Sequence, residues 1–387
     1  MNIETVEVDS ETLSAHKTVE VASRNYSTPA KALQVGKLRA SEKVSPLARG
    51  VAEIYRKGNA TALKNSRTGW DGLAKGFKSQ ADSADDDELV VPFFEYDDTA
   101  HLTEANAAEL VKLQTNYGDI ITVPLMTPLV DAADDGDDRT TAHVSSIIDN
   151  TRTFLKACTD LKINKPVMGV IPPISEDCTN ALVSLYLEEN LRAFCVDFSR
   201  RSPMAQSQID NVSNPMMQML ENYDVLESSL IYAVNAHFGR TLSGSHRTPD
   251  TVYAYTLGYD IVGDNHIAPN LPESVLEDLA KEAEQGEIEL RLFDADTVSF
   301  IEVPVSDLHS FLPPGTDIPV RRVRTRVRTN SNERYRFEKL INTELISLYL
   351  DSTGGVSPSE IFAELTSSPL TQDSDIERVL ELADTLS

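Results

Sequence analysis

The chain has 387 residues, 41% of them apolar, with 17 Gly and 19 Pro, a composition that supports a large buried core and excludes a disordered tail or a fibrous repeat. Its longest apolar runs, such as 89–94 and 120–126, stop at about a strand's length, far short of the roughly 20 residues that cross a bilayer. The formal net charge is −26, and it is unevenly spread: residues 1–80 hold 13 Lys+Arg against 8 Asp+Glu, residues 81–320 hold 13 against 42, and residues 321–387 hold 9 against 11.

An acid-rich chain with ordinary core residues fits adaptation to high salt, where dense carboxylates keep a protein soluble. Against that background the basic segments stand out as places for a polyanionic partner. Residues 1–30 carry acids from Glu4 onward and no apolar stretch of signal-peptide type. Cys158, Cys178 and Cys195 form an odd set without CxxC spacing, which argues against a disulfide frame and a thiolate zinc site. The expected location is the cytoplasm, without membrane association.

In chain order, residues 1–80 form a basic N-terminal segment. Candidate strands near 18–22 and 32–35 lie in it, and Arg39, Lys43, Arg49, Arg56, Lys57, Lys64 and Arg67 spread along an expected helix. Trp70 and Tyr55 could stack on bases or pack in the core. From residue 88 short apolar runs alternate with helical segments. The expected strands are 88–96, 119–126, 166–171, 192–198, 230–236 and 260–263. Thr103 caps a helix 104–113 and Ser175 a helix 176–189; Thr248 and Pro249 open a short helix that Gly258 ends, and 272–285 is a helix stopped by Gly286. The acidic stretches 80–88 and 131–138 read as solvated loops.

Strand–helix alternation in runs too apolar to be one-sided means parallel strands covered by helices. The expected fold is α/β, a (β/α)8 TIM-like barrel whose core spans 81–287, with the N-terminal segment supplying its first elements. An open doubly wound sheet is the alternative, but no strand is followed by GxGxxG or GxxxxGK[ST]. Residues 288–387 form a small α+β addition. It contains a hairpin at 288–293 and 298–303, a turn at Pro313 and Pro314, and a helix over 333–350. Between them Arg321, Arg322, Arg324, Arg326 and Arg328 alternate with Val323, Thr325 and Val327. As an extended ribbon this puts Arg322, Arg324, Arg326 and Arg328 on one face, able to follow a phosphate backbone. Pairing of these arginines with the barrel's own carboxylates is the competing reading.

In a parallel barrel the working groups sit where the strands end. Those ends hold Glu95, Tyr96 and Asp97; Met126; Pro172 and Pro173; Asp197, Ser199 and Arg200; Asn235, His237 and Arg240; Asp264, Asn265 and His266. Asp264, Asp197 and Glu95 are the catalytic candidates, since a nucleophilic carboxylate and an acid/base carboxylate serve displacement at a sugar anomeric carbon. Tyr96, Asn235, His237, His266 and Arg200 are candidates for holding substrate. A metal-dependent hydrolase or lyase would use His237, His266, Asp197 and Asp264 as ligands instead. A barrel that binds nucleic acid without catalysis is the third class.

The order of segments resembles the tRNA-guanine transglycosylases and their relatives that insert 7-deazaguanines into DNA. The similar pieces are Ser27-Thr28-Pro29-Ala30-Lys31-Ala32-Leu33, Leu102-Thr103-Glu104 before the 119–126 strand, Met168-Gly169-Val170-Ile171-Pro172-Pro173, and Leu257-Gly258-Tyr259-Asp260-Ile261-Val262-Gly263-Asp264. The last resembles the family's Gly-x-Asp-x-x-Asp segment, whose final Asp is the nucleophile. Here the family spacing falls on Gly263 and the Asp follows at 264, so Asp260 and Asp264 both stand as nucleophile candidates. The family's Cys-x-Cys-x-x-Cys…His zinc site is absent. The resemblance implies exchange of guanine in DNA or tRNA for a 7-deazaguanine, with no metal and no cofactor, the polynucleotide and the base as partners, and a homodimer left open.

Overall fold

The computed structural model describes residues 1–387 except 65–68, 135–139, 238, 243, 268–287, 314, 353–356 and 387. The chain opens with three antiparallel strands, β1 (Asn2–Val8), β2 (Ala15–Val21) and β3 (Arg24–Ser27), in the order β1-β2-β3. Val19 and Val21 are buried on one face of β2 while Glu20 between them is exposed, the alternation of a one-sided sheet. The 18–22 candidate therefore belongs to this outer sheet and not to the parallel set. Lys17 fastens it to the rest of the fold, its Nζ donating to Asp260 at 3.0 Å and to the Ser229 carbonyl at 2.8 Å.

Parallel strands follow. They are β4 (Ala30–Lys31), β5 (Leu33–Gln34), β6 (Val51–Gly58), β7 (Leu89–Tyr96), β8 (Ile121–Thr122), β9 (Val167–Ile171), β10 (Ala193–Asp197), β11 (Leu230–Val234) and β12 (Ile261–Val262). One parallel sheet has six strands in the order β4-β12-β11-β10-β9-β8, and a second has β5-β6-β7. The two meet at both ends. β4 and β5 are separated only by Ala32, whose N–H donates to the Val262 carbonyl at 3.0 Å. On the far side, Leu125 beyond β8 donates to the Phe94 carbonyl at 2.9 Å and accepts from the Tyr96 N–H at 2.8 Å. The strands of both sheets are buried almost throughout, as expected of parallel strands covered by helices.

The helices between them start where the sequence says they should. Thr103 accepts from the Asn106 N–H at the start of helix Glu104–Tyr117, and Ser175 from the Cys178 N–H at the start of helix Glu176–Glu188. Gly258, at φ +90°, ends the turn after helix Asp250–Thr256. Helix Thr127–Asp134 takes in 131–134 of the expected loop at 131–138, while 135–138 lies outside the described residues; helix Thr140–Asp160 follows. The expected helix 272–285 with Gly286, Arg67 and Pro314 also lie outside them.

Two basic segments depart from expectation. The expected N-terminal helix is strand β6 over Val51–Gly58, which carries Arg56 and Lys57; Arg39, Lys43 and Arg49 sit in the connections before it, and Lys64 ends the short helix Ala60–Leu63. Buried Val51, Ala52, Glu53 and Ile54 leave no solvated helical face. The Arg ribbon is a helix, Val320–Thr329, begun after Pro319. Val323 and Val327, buried four residues apart, seat it, and the alternation expected of a strand has no neighbouring strand to pair with among the described residues. Arg322 and Arg326 therefore lie on one side, and Arg324 and Arg328 on another. After β13 (Glu289–Asp294) and β14 (Ser299–Pro304), which form the expected antiparallel hairpin, helix Ser331–Ser352 returns toward the parallel strands. No helix among the described residues is long and apolar enough to cross a membrane, and all three cysteines are buried and unpaired.

Candidate functional site

The register across β6 and β7 places Glu53 opposite Val91, Tyr55 opposite Phe93 and Lys57 opposite Glu95. With a side-chain period of two, Glu53, Tyr55, Lys57, Phe93 and Glu95 share one face. Glu53 is fully buried, and its Oε1 accepts the Tyr232 hydroxyl at 2.5 Å from the far side of the strand set. Its Oε2 accepts the Asp264 N–H at 3.0 Å. This common face therefore collects groups from β6, β7, β11 and the segment after β12.

Asp264 stands just beyond Ile261–Val262, where Gly263 brings the chain hard against the site. A Cβ there would fall 2.0 Å from Glu53 Oε1 and 2.8 Å from the Tyr232 ring. Two ammonium groups grip the same turn: Lys31 Nζ donates to the Gly263 carbonyl at 3.0 Å, and Lys339 Nζ, from helix Ser331–Ser352, donates to the Asn265 carbonyl. Burial pushes the Asp264 carboxyl up, but the charges of Lys339, Lys31 and Lys37 pull it down, and the group is held below its ordinary range. Asp264 is thus a buried carboxylate kept ionised. Lys31 in turn is lowered by its own burial, against the pull of Asp264 and Glu53.

Asp197 ends β10, two strands away, and its environment works in the opposite direction. Burial raises its carboxyl, and the bonds from Asn235 and the Ser199 N–H offset this only in part, with Glu95 adding to the rise. Asn235 ties the two acids together. Its Nδ2 donates to Asp197 Oδ1 at 2.8 Å, its Oδ1 accepts the His266 N–H at 2.6 Å, and its own N–H donates to the Asp264 carbonyl at 3.1 Å. Asn235 holds φ +57°, and Ser199 and Arg200 hold +45° and +69°, so two adjacent strand ends turn through left-handed backbone that L residues seldom adopt. Such local strain concentrates at sites the surrounding structure over-determines.

Glu95 also reaches this face, but it is already engaged: Tyr55 Oη donates to Oε2 and Lys57 Nζ to Oε1 at 2.9 Å, with Lys57 shared by Asp97 at 3.0 Å. Tyr55 is raised by burial and by Glu95, so its proton stays on. Its ring stacks on His266 with centroids 4.5 Å apart and planes 5° apart. Arg200 follows Asp197, its N–H donating to the Asn235 carbonyl at 2.7 Å.

Three candidates sit elsewhere. Tyr96 follows Glu95 and so points to the opposite face of β7; it is buried there, with burial pushing its hydroxyl up to about 12. His237 is exposed, with Nδ1 accepting the Gly239 N–H at 3.0 Å. Asp260 precedes β12 while Asp264 follows it. It lies at the other end of the strand, pairing with Lys17 and accepting the Ile231 N–H at 2.7 Å. Asp260 is therefore separated from the other acids by the length of β12, and through Lys17 it joins the outer sheet to the parallel strands. The described residues contain no group of three or more His, Cys, Asp and Glu that could hold a metal ion, so the ligand set of the hydrolase alternative does not come together there.

Glu53, Tyr232 and Lys31 were not singled out from the sequence as site residues. Glu53 had a signal: a lone acid inside the apolar run Val51-Ala52-Glu53-Ile54 is a costly residue to bury without a purpose. On the outer surface, Arg324 and Arg328 line a shallow cavity with Ile288, Val305 and Ser306. Arg324 Nη2 donates to the Ser306 carbonyl at 3.0 Å, Arg322 to Ser41, and Arg326 lies 3.6 Å from Glu333. The sequence matches no protein-family model and no curated protein.

Proposed function

We propose that the chain is a base-exchanging transglycosylase acting on guanine in a nucleic acid, with a 7-deazaguanine as the incoming base. The observation that carries this reading is the pair Asp264 and Asp197: two buried carboxylates on nearby strand ends, linked through Asn235, with environments that drive their ionisation apart. Environments that push the ionisation of two neighbouring acids in opposite directions favour the more readily ionised one, Asp264, as nucleophile and the other, Asp197, as proton donor. In this reading β4 and β5 are halves of one strand, and the two parallel sheets are one closed (β/α)8 barrel of eight strands. The continuous hydrogen bonds at Ala32 and Leu125 support that closure, and it puts both acids at the carboxyl-end mouth where such barrels work.

The Asp264 carboxylate attacks C1′ of the guanosine, the C1′–N9 bond breaks, and N9 of the departing guanine takes the proton of Asp197. The incoming base then gives its N9 proton back to Asp197 as N9 attacks C1′ and the bond to Asp264 breaks. Lys31, Lys339 and Lys37 hold Asp264 anionic, and Asn235 fixes the orientation of Asp197. Glu95, occupied by Tyr55 and Lys57, shapes the mouth without exchanging protons. The arginines of helix Val320–Thr329, with Arg324 and Arg328 four residues apart on its exposed side, serve as phosphate contacts, for which bidentate guanidinium geometry is suited in high salt. The test is incubation with labelled guanine and bulk DNA or tRNA at molar salt. Incorporation that is lost in Asp264→Asn is expected, and no incorporation into or release from either polymer would refute the reading.

A further inference from the structure

Glu53 is buried in the middle of the site, yet the chemistry above gives it no step. Both of its oxygens are used, Oε1 by the Tyr232 hydroxyl and Oε2 by the Asp264 N–H. Oε2 also lies 3.3 Å from His266 Nε2, within charge-pairing distance but not aligned as a hydrogen bond. The His266 side chain has no solvent exposure, and neither ring nitrogen has a hydrogen-bond partner among the described residues. The ring plane is nonetheless set. Tyr55 stacks flat on it and is itself anchored on Glu95, Phe93 lies 5.6 Å away, and the His266 N–H is held by Asn235.

What remains open at a ring so fixed is which nitrogen carries the hydrogen. Both Glu53 oxygens already act as acceptors, toward the Tyr232 hydroxyl and the Asp264 N–H, so Glu53 facing Nε2 favours hydrogen there and leaves Nδ1 with a bare lone pair. A buried acceptor without a partner calls for a donor from a ligand. We propose that Glu53 is a positioning residue that keeps hydrogen on His266 Nε2, so that Nδ1 accepts an amide- or amine-type N–H from the edge of the bound base. A base presenting only acceptors at that position sets lone pair against lone pair and is rejected. The ligand half rests on the transglycosylase reading, whereas the tautomer half concerns the free protein alone.

The test is the ¹⁵N spectrum of the His266 ring in the free, full-length protein, assigned with His266→Gln. A hydrogen-bearing Nε2 and a bare Nδ1 are expected; hydrogen on Nδ1 overturns the proposal whatever the activity. Glu53→Leu removes the acceptor and should let both tautomers appear. Glu53→Gln must turn its oxygen to the donor-only Asp264 N–H and should keep the wild-type spectrum. A Leu variant with the wild-type spectrum overturns the role of Glu53, and if that variant does not fold, the wild-type assignment and the Gln variant still decide. Adding guanine should then shift Nδ1. Bound guanine that leaves Nδ1 unmoved overturns the ligand half alone, and guanine that does not bind overturns it together with the transglycosylase reading, leaving the Nε2 assignment to stand or fall by itself.

Discussion

Replacing Lys339 by methionine keeps the length of the side chain and removes the first of the charges that hold Asp264 ionised. Two unit charges about 6 Å apart in an effective dielectric of about 20 interact by about 3 kcal/mol, equivalent to about 2 pKa units. Lys31 and Lys37 remain in the variant, and the turn can relax once the bond to the Asn265 carbonyl is gone, so we expect the Asp264 carboxyl to rise by only part of that interaction. The direction follows from the role: an ionised nucleophile works above its pKa and fails as pH falls through it. The acid limb of base exchange should therefore move to higher pH in Lys339→Met and stay in place in Lys339→Arg, which keeps the charge. A ¹³C titration of the Asp264 carboxyl carbon reads the same shift without any assumption about substrate. An unmoved titration in Lys339→Met would refute the claim that the surrounding ammonium groups set the state of Asp264.

Three other outcomes follow from the same contacts. Gly263→Ala drives a methyl into Glu53 and Tyr232; overpacking of this kind costs about 1–3 kcal/mol, read as a lower Tm together with loss of exchange, and an unchanged Tm would contradict the close approach. Asp250, buried against Ser202 and Thr248, is pushed up to about 6 by its burial. A carboxyl raised in the folded state binds its proton more tightly there, so its contribution is complete below the unfolded value of about 4 and is lost as pH rises through about 6. Asp250→Asn should therefore gain up to about 3 kcal/mol relative to wild type between pH 4 and pH 7 in denaturant titrations; parallel stability curves would contradict this. Arg324→Glu should weaken binding to DNA or tRNA uniformly across sequences and reduce the salt slope by about 1, while leaving exchange at saturating nucleic acid near wild type; an unchanged salt dependence would remove helix Val320–Thr329 from the interface.

The strands from residue 88 onward were legible because each is an apolar run of strand length between capped helices, and the ends of those runs put Glu95, Asp197, Asn235, Asp264 and His266 on the list. β6 was not, because its inner face carries Glu53, Tyr55 and Lys57, and polar residues that face a site break the apolar signature by which a buried strand is recognised. With β6 hidden, its partners could not be anticipated: Tyr232 reads as an ordinary core aromatic, and Lys31 as part of a basic segment. The Arg-rich segment misled for a different reason. Its valines at 323 and 327 satisfy a two-residue and a four-residue period at once, and only packing against helix Ser331–Ser352 selects the helix. Asp260 and Asp264 are four apart across a short strand, so their separation to opposite ends depends on pairing, which spacing alone does not reveal.

In the proposed reaction Asp264 forms the bond to the nucleic acid. Wild-type protein, Asp264→Asn and Asp260→Asn can be incubated at molar salt with guanine-containing DNA or tRNA, denatured, and run on gels that separate free protein from a protein–polynucleotide adduct, with peptide mapping of the linked residue. We expect an adduct mapped to Asp264 in the wild-type protein, none in Asp264→Asn, and an adduct retained in folded Asp260→Asn. An adduct mapped to any other carboxylate, or one that survives Asp264→Asn, would contradict it.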